Sequence, residues 1–136
     1  MADCIFCAIA AGEAPATIID EDANTVAFMD INPWQPGHAL VIPRRHYEDL
    51  LEIEPGDLAN TYATAKRVAS GMKERLGAEG VWLWNSCGHA AGQVVMHFHV
   101  HVIPTDGKNV PSPPPPDASL GEDDIAAAAA ALRGDA

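Results

Sequence analysis

Three histidines at alternate positions, in His97-Phe98-His99-Val100-His101-Val102-Ile103, are spaced so that an extended chain would set three imidazoles on one side. At roughly 3.3 Å per residue the rings would stand about 6–7 Å apart, while Phe98, Val100 and Val102 make an apolar counter-row suited to a core. A neutral imidazole has a reference pKa of about 6.5 and keeps a free lone pair near neutral pH, which suits it to nucleophilic attack, proton transfer or metal binding. A zinc site on a His-x-His pair, or histidines on a strand by accident, are the bland alternatives. The unbroken apolar counter-row argues against accident. Cys4-Ile5-Phe6-Cys7 is a second candidate centre, whose Cys-x-x-Cys spacing fits a zinc half-site, a redox pair or coincidence. A redox pair usually opens a helix after a strand, and that context is missing here. Cys87, beside Gly88 in an expected loop, reads as an ordinary thiol.

Periodicity and punctuation give the elements that must position these groups. Residues 3–10 read as a short helix or turn with Ile5, Phe6 and Ile9 facing one way, closed by Gly12 to Pro15. Thr17 to Ile19 and Thr25 to Met29 read as two strands of a hairpin around the polar run from Asp20 to Asn24. A loop from Asn32 to Gly37 leads into a third strand, His38 to Ile42, ended by Pro43. Between Asp57 and Leu76 the residues Leu58, Tyr62, Ala65, Val68, Ala69, Met72 and Leu76 recur at helical spacing, which predicts a long amphipathic helix closed by Gly77. Val81 to Asn85 is a fourth strand, and the loop from Ser86 to Gly92 precedes the histidine strand. The expected architecture is α+β: an antiparallel sheet of about five strands with one long helix and a short N-terminal helix.

Composition sets outer bounds. A chain of 136 residues suits one domain with a sizeable core, here residues 1–108. Residues 109–136 form a tail, in which Pro111 to Pro116 suits a polyproline II spacer and Ile125 with six following alanines suits a short helix. An Ala-rich helix of that length is marginal alone and must dock or fray. A net charge of −11 with only eight Lys and Arg argues against nucleic acid as a partner, while leaving a single nucleotide open. The absence of a long apolar run and of a signal-peptide pattern, together with three cysteines, points to a cytoplasmic protein with no membrane partner.

The segment from His97 to Ile103 resembles the signature of the histidine triad superfamily of nucleotide hydrolases and transferases. So do Cys4 to Cys7, Phe28-Met29-Asp30-Ile31-Asn32-Pro33, Pro36 to Pro43 and Ala91-Gly92-Gln93, which occur in the family's order and extend the resemblance over about residues 3–106. It implies a structural zinc held by Cys4, Cys7, His46 and His97, the alternative being that the two cysteines are free buried thiols. It implies His99 as a nucleophile toward an α-phosphorus, His101 as a hydrogen-bond donor to the phosphate, and His38 as a group that fixes imidazole tautomers; a buried core histidine remains the other reading of His38. Gln93 matches a glutamine placed toward the phosphate, or else serves only the loop backbone. Phe6, Ile9, Phe28 and Ile31 would form an apolar slot for a purine, although a core needs such residues too, and Asp30 would accept from ribose hydroxyls.

Two positions depart from the pattern. Val94 stands where relatives with amide-hydrolysing activity commonly have Ser or Thr, and Ser86, with Asn85 its neighbour, stands where Asn or Gln is common. A third histidine in the triad sides with the hydrolases rather than the hexose-phosphate uridylyltransferases, which have glutamine there. The activity implied is hydrolysis of purine nucleotide conjugates through a nucleotidyl-histidine, by a homodimer. The alternatives are a dinucleoside polyphosphate hydrolase and a non-catalytic nucleotide-binding or scaffold protein.

Overall fold

Strict alternation along the central strands sorts their side chains into two apolar layers, and the histidine segment borders one of them. In the computed structural model, which describes residues 3–108 and 110–135, the sheet has five antiparallel strands. They are β1 (Ile18–Glu21), β2 (Thr25–Met29), β3 (Ala39–Pro43), β4 (Gly80–Trp84) and β5 (Val100–Thr105), in spatial order β1-β2-β3-β5-β4. Ala27, Ala39, Val41, Val100 and Val102 face one layer; Val26, Phe28, Leu40 and Ile42 face the other. The α+β architecture expected from the sequence is the one observed, with β2 at its expected bounds and the ends of the other strands shifted by one to three residues.

Helix α2 (Pro55–Leu76) covers the first layer. Pro55 suits its first turn, and Gly77 ends it in the left-handed region at φ 68°, its N–H bonded to the Met72 carbonyl. The stripe it buries is Thr61, Thr64, Ala65, Val68 and Met72, so Tyr62 and Leu76, expected on the apolar face, lie exposed instead. Thr64 can be buried there because its hydroxyl meets that of Thr25 at 2.6 Å, which satisfies both groups. Helix α1 (Ile5–Ala10) covers the second layer with Phe6 and Ile9, while Ile5 turns outward.

The histidine strand begins later than its alternation predicts. Pairing with β3 starts at Val41 opposite Val100, and upstream of it the Phe98 N–H bonds to the Tyr47 carbonyl at 2.7 Å. His97 and His99 therefore precede β5, and only His101 belongs to it. The side-chain alternation survives, because Phe98 is fully buried in the α2 layer together with Val100 and Val102.

Beyond β5 the chain carries one more element, α3 (Glu122–Arg133), longer at both ends than the alanine run suggests. Asp124 accepts from the Gly121 N–H, and Glu122, Asp123 and Asp124 place negative charge at the positive end of the helix dipole. No residue of α3 is buried, and Leu132 is 89% exposed. Asn109, Met1 and Ala136, where the two expected segments begin or end, lie outside the described residues. Truncation after Gly107 is expected to shift the melting temperature by no more than about 2 °C, as scanning calorimetry would measure. A fall of about 8 °C or more would mean that the tail is part of the folded unit.

Candidate active site

Two clusters of ring and sulfur atoms lie on the α1 side of the sheet, joined by the main chain of the histidine segment. The first gathers Cys4, Cys7, His46 and His97, whose ligand atoms all lie within 4.8 Å of one another. His97 Nδ1 is 3.4 Å from Cys4 Sγ and 3.5 Å from Cys7 Sγ, and His46 Nδ1 is 3.3 Å from Cys7 Sγ. Zinc bonds of about 2.3 Å to sulfur and 2.0–2.1 Å to nitrogen would set a tetrahedral S–N edge near about 3.6 Å, so the donor set and its spacing fit a four-coordinate metal. His97 Nε2 donates to the Pro43 carbonyl at 2.8 Å, which leaves Nδ1 as the lone pair facing the sulfurs. That carbonyl belongs to the proline that ends β3, so the strand end itself orients the imidazole.

The second cluster is a chain of imidazoles whose tautomers the backbone dictates. Gly37, at φ 95°, turns the loop into β3; a Cβ there would come within 2.9 Å of Leu76 and 3.0 Å of Pro104, so the turn that delivers His38 requires glycine. The Trp34 N–H donates to His38 Nδ1 at 3.1 Å, so the neutral ring carries its proton on Nε2. That nitrogen lies 2.9 Å from His101 Nδ1, which accepts and thereby places the His101 proton on Nε2. His99 Nδ1 is 2.7 Å from the His97 carbonyl, which can only accept, so His99 keeps its lone pair on Nε2. Asp30 Oδ2 lies 3.4 Å from His38 Nε2 and 3.9 Å from His101 Nδ1. Although Asp30, His38 and His101 are close enough together to suggest a metal, the proton on His38 Nε2 leaves no lone pair for one.

The structure thus brings Asp30, His38, His99 and His101 together, with the metal-type cluster adjoining through His97 and Phe6. Phe6 packs edge-on against both His97 and His99. With Ile9 and Phe28 it belongs to the buried α1 layer, whereas Ile31 is 90% exposed. Gln93 is buried: its Oε1 accepts from the Gly88 N–H, and its amide donates to the Glu48 and Val95 carbonyls. Its whole amide therefore serves loop backbone. Asn85 donates to the His99 carbonyl at 2.9 Å, and Ser86 accepts from the Trp84 indole at 2.8 Å. Of the two neighbours it is Asn85 that touches the triad. Val94 is exposed.

Trp34, Trp82 and Trp84 flank the imidazoles without belonging to any of the motifs. Trp34 stacks on His101 with centroids 5.6 Å apart and planes 11° from parallel, and Trp84 meets Trp34 at 4.9 Å. The one local signal is the spacing of Trp82 and Trp84, which sets both indoles on the same face of β4.

Burial holds the imidazoles of His38, His99 and His101 below the usual histidine range, that of His101 down to about 4, where neighbouring His99 and His38 act in the same direction. A group with a depressed folded-state pKa takes up its proton first in the unfolded chain. The stability that it contributes is present above about pH 6.5 and is lost as pH falls toward about 4, on the order of 3 kcal/mol for His101. The urea midpoint is therefore expected to fall between about pH 7.5 and about pH 5, and His101→Gln should flatten that fall. An equally steep fall in the variant would contradict the assignment.

Comparison with known proteins places this arrangement. A family model described as HIT domain matches residues 11–108. An uncharacterised HIT-like protein of Methanocaldococcus jannaschii is 44% identical over 101 residues, covering 74% of this chain and 78% of its own. The adenylylsulfatase HINT3 of Arabidopsis thaliana is 36% identical over 102 residues, covering 75% of this chain and 52% of the plant protein. Among solved structures, a zinc-bound histidine triad family protein from Mycobacterium smegmatis superposes with a TM-score of 0.78 at 38% identity, over 98% of this chain and 97% of that one.

Proposed function

The chain belongs to the histidine triad family, and on that footing we propose that it hydrolyses purine nucleotide conjugates at the α-phosphorus, by way of a nucleotidyl intermediate on His99. The observation that carries the reading is the pairing of an unprotonated His99 Nε2 with a protonated His101 Nε2, fixed by the His97 carbonyl and by the Trp34 N–H through His38. His99 Nε2 attacks phosphorus, an N–P bond forms, and the leaving group departs with the bonding pair and is protonated from water. His101 Nε2–H donates to a phosphoryl oxygen whose charge grows in the transition state. Water then attacks the same phosphorus, releasing the nucleotide and restoring His99. The plant relative, named for a hydrolysis at an adenylyl sulfate, supports this class of reaction.

The nucleoside in this reading lies against Phe6, Ile9 and Phe28 with Ile31 over it, and Asp30 accepts from the ribose hydroxyls. Gln93 and Asn85 hold the loop and the His99 main chain beside the phosphate. Cys4, Cys7, His46 and His97 hold a structural zinc, a reading supported by the donor set and by the zinc-bound relative. Such a closed site stabilises the fold and leaves no position for substrate. The protein acts as a homodimer joined through an outer strand of the sheet, for which β1 and β4 both offer an open edge. Among the described residues no helix is long and apolar enough to cross a membrane.

The test is a trapping experiment. Protein mixed with an adenosine phosphoramidate labelled at phosphorus and quenched in alkaline detergent should retain label that acid releases, as a phosphorus–nitrogen bond to imidazole would. A protein that binds AMP yet neither turns over nor retains label would point to the non-catalytic alternative.

A further inference from the structure

Strand order separates the two flanks of the triad. Phe28 of the slot lies on β2, and Leu40 and Ile42 of the same apolar layer lie on β3, on one side of β5, while Trp82 and Trp84 lie on β4, on the other. Phe28, Leu40, His101 and Trp84 stand opposite one another in register, so one row across the sheet runs from the slot's Phe28 through Leu40 and imidazole to indole. Trp34 bridges the gap from the loop before β3: it stacks on His101, meets Trp84 edge-on, and approaches Trp82 at 6.1 Å. Trp82 and Trp84 are themselves 4.9 Å apart. The cluster is not sealed, for half of the Trp34 surface is exposed and both β4 indoles are only partly buried. These are the chain's three tryptophans, and they form one cluster that reaches the His38 and His101 imidazoles through Trp34, at 5.2 and 5.6 Å.

A conjugate held at phosphorus by His99 and His101, with its nucleoside over β2 and β3, has its other phosphorus substituent free to reach the β4 side. An aliphatic lining would accept any apolar group there. Indoles add a preference, because stacked and edge-on aromatic pairs contribute beyond their buried area, and their geometry rewards a flat partner. We propose that Trp34, Trp82 and Trp84 form a shelf that takes a planar aromatic leaving group. The proposal rests on the reading of His99 and His101 above and adds the chemical class of the departing group. An aryl amine and the second base of a dinucleoside polyphosphate share that chemistry.

The test compares adenosine phosphoramidates of phenethylamine and of cyclohexylethylamine, which match in size and apolarity and differ in planarity. Affinities are measured by calorimetry on the His99→Ala protein, so that they do not depend on turnover, and kcat/KM on the wild type. Phenethylamine is expected to be favoured about three- to tenfold in both, and Trp34→Leu or Trp82→Leu, each checked by thermal melt, to bring the ratio close to one. Diadenosine triphosphate against ADP methyl ester asks the same of a second base, and whichever pair has the larger Trp34-dependent ratio identifies the source of the ring. Equal affinities within each pair would overturn the shelf, including the case in which a second copy of the chain covers the indoles. A Trp34-dependent affinity ratio without any turnover would leave the shelf standing and sink the hydrolase reading; no binding of either compound would sink both.

Discussion

Replacing His99 with alanine is expected to lower kcat/KM for adenosine phosphoramidates by on the order of 10⁴-fold and to abolish retention of labelled nucleotide. The magnitude follows from what is removed. His99 Nε2 is the one triad lone pair not already facing another group of the chain: His97 donates from Nε2 to the Pro43 carbonyl and directs its Nδ1 lone pair at the sulfurs, and His101 Nδ1 accepts from His38. No neighbour can take over the attack without breaking one of those bonds. His101→Ala should cost less, about 10²-fold, and should still permit labelling, because it removes a hydrogen bond to the phosphoryl group and not the nucleophile. His99→Gly supplied with free imidazole should recover part of the lost turnover. Retained label in His99→Ala, or an equal loss in the two alanine variants, would place the nucleophile elsewhere.

The largest expected effect on stability comes from Cys7. Its sulfur approaches both His46 and His97, so alanine there removes the group that ties the loop after β3 to the histidine segment. Cys7→Ala is expected to reduce bound zinc from about one per chain to a small fraction and to lower the melting temperature by about 10 °C, as metal analysis and calorimetry would show. Activity at low temperature should fall by less than about tenfold, since the cysteine–histidine cluster adjoins His99 only through the His97 carbonyl, which orients that ring, and through Phe6. Cys4 is a less clean choice, because its sulfur also accepts from the Cys7 N–H and caps α1. Wild-type protein prepared with ample zinc but containing none, or a Cys7→Ala variant as stable as the parent, would show that the cysteines pack as thiols.

The sequence by itself determined the faces. Alternation in His97 to Val102 separates imidazoles from core residues even where the ladder is absent, because side-chain direction in an extended chain depends only on local backbone geometry. The sheet, α2 and the Cys-x-x-Cys pair were legible for the same reason: each is a pattern among near neighbours. Tertiary structure decided where β5 begins, since strand pairing needs a partner and β3 offers one only from Val41 opposite Val100. It decided that α2 buries Thr64 instead of Tyr62, through a hydroxyl 39 positions away on Thr25. It also decided which nitrogen of each imidazole holds the proton. The rings of His99 and His101 differ because the first faces a carbonyl two residues back and the second a histidine 63 positions away, held in turn by the Trp34 N–H. A histidine's identity is local, but its tautomer is set by whichever donor or acceptor the folded chain brings to it, and spacing along the sequence carries no record of that partner.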